Sequence, residues 1–134
     1  MSQENVEIVR RLYQLMSRGD DALLELIAPD FEVDFSRRFI DPFVERVDPD
    51  AFALFVKEAG EAWGELPRWE PEELIDGGDK VLAFIRFQAK GRTSGVEVDV
   101  HVANVWTFRD GKPVELKYFG EDRDAALEAA GLSE

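Results

Sequence analysis

Val96-Glu97-Val98-Asp99-Val100-His101-Val102-Ala103-Asn104-Val105-Trp106-Thr107-Phe108 is the stretch that decides the fold. It is rich in β-branched and aromatic residues, and apolar and polar residues alternate along it, which predicts one long strand with a buried face. Successive side chains of a strand point to opposite faces. One face therefore carries Val96, Val98, Val100, Val102, Asn104, Trp106 and Phe108, and the other carries Glu97, Asp99, His101, Ala103, Val105 and Thr107. Asn104 interrupts the apolar stripe. A carboxamide left unpaired inside a protein costs about 1–3 kcal/mol. Its partners are neighbouring protein groups, a trapped water or a ligand in a cavity, and the sequence leaves all three open.

On either side of this strand the chain reads as sheet. Residues 69–75 and 80–89 are strands joined by the turn Asp76-Gly77-Gly78-Asp79. Pro71 places the first of them at a sheet edge or starts it late. A looser turn over residues 90–95 leads into the long strand. Asp110-Gly111 turns the chain into a last strand around residues 114–119, and residues 122–131 form a short terminal helix. Further back, Asp48-Pro49 is an N-cap followed by proline at the first helical position. Phe52, Phe55, Val56, Ala59, Ala62 and Trp63 make one face of the helix that follows. Phe31, Val33 and Phe35 alternate with Glu32, Asp34 and Ser36 in a short strand. Residues 37–47 show no period and are expected to be a loop at the rim of a site. Residues 3–18 form an amphipathic helix stopped by Gly19, and Asp20 or Asp21 caps a second, short helix holding Leu23, Leu24, Leu26 and Ile27. Helices gathered ahead of a meander argue for an α+β domain, not for alternating βαβ units.

Composition narrows the function. At 134 residues, with 45% hydrophobic residues, ten Phe and three Trp, the chain fits one domain with an aromatic-walled core. It has no cysteine and one histidine, which excludes disulfides, thiolate chemistry and a His-rich metal site within one chain. The net charge of −13 makes nucleic acid and anionic lipid poor partners. No apolar run is long enough to span a bilayer, and the N-terminus is unlike a secretory signal, so a cytoplasmic protein with no membrane partner is expected. No Ser-His-Asp constellation, Gly-rich phosphate loop or metal motif is present, and no cofactor is expected.

Several segments, in order and at matching spacing, resemble the SnoaL-like group of the nuclear-transport-factor-2-like superfamily. They are Glu4-Asn5-Val6 through Arg18-Gly19-Asp20, Leu23-Leu24-Glu25-Leu26, and Pro29-Asp30-Phe31. They continue with Glu72-Glu73-Leu74-Ile75-Asp76-Gly77-Gly78-Asp79, Ser94-Gly95-Val96-Glu97-Val98, Val105-Trp106-Thr107-Phe108-Arg109-Asp110-Gly111-Lys112 and residues 122–131. The resemblance implies a cone-shaped curved antiparallel sheet wrapped around the N-terminal helices, a cystatin-like α+β barrel. In many relatives the cone opens on an apolar pocket, and many form homodimers through the sheet. The group includes polyketide cyclases, steroid isomerases, dehydratases, epoxide hydrolases and non-catalytic modules, so the fold does not name the reaction.

The resemblance also implies roles for particular positions. Asn104 aligns with an aspartic acid that steroid isomerases keep protonated to bond an oxyanion; an amide is a neutral donor there. The isomerase base aligns near Phe35, and Asp34, one residue away, is expected to point to the opposite face and be solvated. Tyr13 lies one step from the isomerase tyrosine, which aligns with Leu12. Its hydroxyl is expected to reach Asn104 or a ligand, or else to end at the rim of the core. Asn104 and Tyr13 are thus the candidate catalytic pair, and no residue stands in the place of a general base. Phe35, Phe52, Phe55, Trp63, Phe87, Val102, Trp106 and Tyr118 are the candidate ligand-binding wall. His101 falls on the polar face, as a surface or dimer-interface residue. Arg86 is expected to pair with Asp99 or Glu97 across strands or across a dimer. Arg37 and Arg38 are expected to be solvated. The expected function is binding of a small, mostly apolar or polycyclic molecule, with cofactor-independent cyclisation, isomerisation or hydrolysis as the class of reaction. The alternative is a non-catalytic dimerisation or scaffold domain with a filled core.

Overall fold

The computed structural model describes residues 2–34, 46–62, 68–91 and 95–132. Helix α1 (Ser2–Arg18) comes first, then a 3-10 turn (Asp21–Glu25), strands β1 (Glu32–Asp34) and β2 (Arg46–Val47), and helix α2 (Pro49–Ala62). Strands β3 (Arg68–Asp76), β4 (Lys80–Lys90), β5 (Glu97–Arg109) and β6 (Lys112–Tyr118) follow, and helix α3 (Arg123–Ala129) ends the fold.

Local chemistry sets most of the boundaries. Gly19, at a φ of 63°, closes α1, with its N–H donating to the Met16 carbonyl at 3.0 Å. The Asp48 carboxylate accepts the Ala51 N–H at 2.8 Å and starts α2. Asp110 and Gly111 take φ of 53° and 80° in the two-residue turn from β5 to β6, where both residues must be left-handed.

The curved sheet is open and runs in the order β2-β1-β6-β5-β4-β3. β3 to β6 form the expected antiparallel meander, whereas β1 pairs with β6 in parallel. β3 is an edge strand, as Pro71 requires, and its register shifts between Pro71 and Glu73. The other edge among the described residues is β2, whose Arg46 and Val47 pair with β1 where a loop was expected; residues 37–45 of that expected loop lie outside the described residues.

The sheet has a buried cluster on each face. On the inner face, Val9, Leu12, Tyr13 and Met16 of α1 and Phe52 and Val56 of α2 pack with Val81, Ala83, Ile85, Val102, Trp106 and Phe108. On the outer face, Ala126 and Ala130 pack against Leu82, Phe84, Ala103, Val105 and Phe119. The face of β5 read as polar is therefore polar only over its first half. Ala103 and Val105 are covered because α3 folds back across them. At the start of the apolar stripe Val96 lies ahead of β5 and is 56% exposed. No helix among the described residues is long and apolar enough to cross a membrane.

Candidate functional site

Asn104 sits in the middle of the sheet on its inner face. Its cross-strand neighbours are Ala83 of β4 and Tyr118 of β6. α1 brings Tyr13 down onto this point. The Asn104 Nδ2 donates to the Tyr13 hydroxyl oxygen at 2.8 Å, and the Trp106 Nε1 donates to the same oxygen at 2.8 Å. Tyr13 and Trp106 are fully buried, and Asn104 is 5% exposed. The Tyr13 ring meets Trp106 edge-on at 5.6 Å, and Phe31 stacks on Trp106 at 6.1 Å. These contacts lock both rings, so the hydrogen-bonded trio is held by packing as well as by its own bonds.

One atom of the trio is left over. Asn104 Oδ1 is buried and has no hydrogen-bond partner among the described residues. A native interior seldom leaves such an acceptor unmet. Burial raises the Tyr13 pKa, and the bonds from Asn104 and Trp106 only partly oppose that shift. The phenol therefore stays neutral across the working range of pH. The pair can orient and polarise a ligand group, but neither residue takes a proton near neutral pH.

The other expected site residues divide cleanly. Phe87, Val102, Trp106 and Tyr118 all belong to the inner face. Val102 is buried beside Ile85, and Phe87 is half-buried against Trp69 at 5.2 Å, toward the far end of β4. Phe35, Arg37, Arg38 and Trp63 lie outside the described residues, as does the side chain of Phe55. Tyr13 reaches Asn104 as expected but does not end at a rim. Trp106 acts as a donor that fixes Tyr13, a role its place in an apolar stripe does not announce. Trp69 joins the inner wall unforeseen, because strand alternation around Pro71 is broken by the register shift.

Asp34 requires a correction. It lies on the opposite side of β1 from the core residue Val33, as alternation requires, but it is buried at 5% exposure and is not solvated. β1 is an interior strand, flanked by β2 and β6, and this position of the sheet is covered. On the outer face Arg86 makes a bidentate pair with Asp99 at 2.9 and 2.7 Å, and His101 Nδ1 lies 2.7 Å from Glu72 Oε1. Both pairs are exposed, so His101 is a surface residue remote from the trio. A cleft of about 530 Å³ lies elsewhere, among Leu24, Glu25, Pro29, Asp48, Asp50 and Lys112, and no expected site residue lines it. Among the described residues no three His, Asp or Glu side chains are grouped to hold a metal ion.

The model of the SnoaL-like domain matches residues 9–116, which take in the trio and the meander up to Leu116 in β6. The chain belongs to the SnoaL-like domain family. No curated protein matches it. Solved structures of similar fold include Bal32a, from a soil-derived mobile gene cassette, at 18% identity and a TM-score of 0.79, covering 99% of this chain and 98% of that one. TerC, co-crystallised with polyporic acid, is 21% identical with a TM-score of 0.70 over 96% of this chain and 98% of its own. A polyketide cyclase candidate from Jannaschia sp. CCS1 is 22% identical with a TM-score of 0.73 over 100% of this chain and 95% of its own. At these identities the likeness establishes the fold, and the activity has to be argued from the site.

Proposed function

We propose that this SnoaL-like protein binds a small, mostly apolar molecule against the inner face of its sheet, with the molecule's polar group at Asn104 and Tyr13. The observation that carries this reading is the unmet Asn104 Oδ1. A carboxamide kept only for packing would have both ends satisfied or be replaced by leucine at little cost. The half-buried Trp69, Phe87 and Val100 supply apolar surface farther along the same face. A polar anchor within an apolar wall is the usual design of a small-molecule site. TerC, of similar fold, has been co-crystallised with a small molecule. For cofactor-independent cyclisation, isomerisation or hydrolysis, Tyr13 and Asn104 would hold and polarise the reacting group.

A thermal-shift screen with hydrophobic metabolites tests this. A ligand at 100 times its Kd adds about 2.7 kcal/mol of stability and raises the Tm. The expected result is at least one compound that shifts the wild type and not Asn104→Leu. A screen without a shift would favour the second reading, a filled-core scaffold. The complete burial of Tyr13 and Trp106 is the observation on that side. We further propose that the chain forms a homodimer through the part of the outer sheet face that α3 leaves open. Sedimentation equilibrium decides this, since a mass of 15.2 kDa at all concentrations refutes it.

A further inference from the structure

We infer that the group delivered to Tyr13 and Asn104 is a hydroxyl: an alcohol, a phenol or an enol that accepts from the Tyr13 O–H and donates to Asn104 Oδ1. This rests on the ligand-binding reading above and goes beyond it to the chemistry of the ligand.

The argument is a count of hydrogens. A tyrosine oxygen has two lone pairs and one proton. Both lone pairs of Tyr13 are taken, one by Asn104 Nδ2 and one by Trp106 Nε1. Its proton therefore points away from both donors, and no acceptor meets it among the described residues. The raised pKa keeps that proton in place. On the amide, Nδ2 is engaged and Oδ1 is open. The trio thus presents one donor and one acceptor, on two side chains already bonded to each other.

Each common polar group can be held against that pattern. A ketone or an ether meets the tyrosine proton but sets a second acceptor against Oδ1. A carboxylate does the same and brings a buried charge. An ammonium donates to Oδ1 but has no lone pair for Tyr13. A hydroxyl meets both. Water meets both as well, and it is the competitor a ligand hydroxyl replaces on equal terms. Trp106 sets this selectivity without touching the ligand, because its N–H occupies the lone pair that would otherwise let Tyr13 accept from the ligand. A half-turn of the amide would reverse the pattern. Tyr13 would donate to Oδ1, an NH2 would be left open, and ketones would be preferred.

The test uses matched probes on the intact chain. Titration calorimetry compares 2-naphthol with 2-methoxynaphthalene and 2-acetonaphthone, and 1-indanol with 1-indanone. The expected result is tighter binding of each hydroxyl compound, by about 10- to 100-fold, the range one unmet buried hydrogen bond spans. The preference should fall to within about threefold in Asn104→Leu, which strips the acceptor that only the hydroxyl compounds meet. In the ligand-free protein, a proton–proton Overhauser contact between the Asn104 side-chain amide and the Tyr13 ring is expected, and its absence overturns the inference. Equal affinities, or tighter ketones, overturn it and leave the ligand reading standing. If no probe binds the wild type, both fall together.

Discussion

Replacing Tyr13 by phenylalanine removes one oxygen and keeps the ring that meets Trp106 edge-on. That oxygen accepts from two buried donors, Asn104 Nδ2 and Trp106 Nε1, each at 2.8 Å. A buried donor stripped of its acceptor costs about 1–3 kcal/mol, so two of them sharing one oxygen cost about 2–5 kcal/mol. This is a large part of the roughly 5–15 kcal/mol that holds a domain together. For 134 residues the unfolding entropy makes each kcal/mol about 3–4 °C, giving a fall in Tm of about 7–18 °C. Urea denaturation followed by circular dichroism reads the change as a lower midpoint at constant slope. Asn104→Leu alone behaves differently. It gives up one hydrogen bond worth about 0.5–1.5 kcal/mol and removes an orphan acceptor costing about 1–3 kcal/mol, so it is neutral or stabilising. In the Tyr13→Phe background it also removes one stranded donor and recovers part of the loss, a coupling a double-mutant cycle measures. A Tyr13→Phe cost below about 0.5 kcal/mol, or strict additivity of the two substitutions, would show that the trio is not bonded as described.

Three other outcomes follow from packing and charge. Gly77→Ala is expected to cost about 1–3 kcal/mol, because the new Cβ would lie 3.1 Å from the backbone oxygens of Ala130 and Lys80; hydrogen exchange should show α3 loosening first. Ser17→Ala removes a hydroxyl that accepts the Trp69 N–H at 2.9 Å and donates to the Trp69 carbonyl at 3.3 Å, and is expected to lose about 1–2 kcal/mol in chemical denaturation. The Arg86 and Arg109 guanidiniums hold the Asp99 and Asp30 carboxyls below the usual carboxylate range. Depressed folded-state values mean stability fully present above about pH 4, the unfolded value, and lost as pH falls through the lower folded values. Urea midpoints taken from pH 5 downward should therefore decline, and Asp99→Asn should decline less steeply.

Where a local rule decides a feature, the chain states it openly. Asp48-Pro49, Asp110-Gly111 and the alternation from Val98 to Phe108 each specify their element through neighbours a few residues away, and Pro71 announces an edge. The same alternation puts Asn104 inside without any knowledge of the rest. What stays hidden is whatever depends on contacts distant in the chain. Ala103 and Val105 look like a weak spot in a polar face until α3 covers them. Asp34 is buried by its place between two strands, one of them β6, some eighty residues on in the chain. The bond from Trp106 to Tyr13 spans 93 positions. Tyr13 and Asn104 are individually legible as candidates, but the unmet Oδ1 is a property of how three side chains share hydrogens, and no single position carries it.

The β3 border of the open sheet also governs how the molecule behaves when crowded. An unfinished sheet invites another chain to add a strand and begin a fibre. Here the β3 border combines a missing amide hydrogen at Pro71, an irregular register and the exposed carboxylates of Glu70 and Glu73. Strand addition is thereby disfavoured along β3, so this border of the sheet is guarded by its own sequence and needs no covering chain.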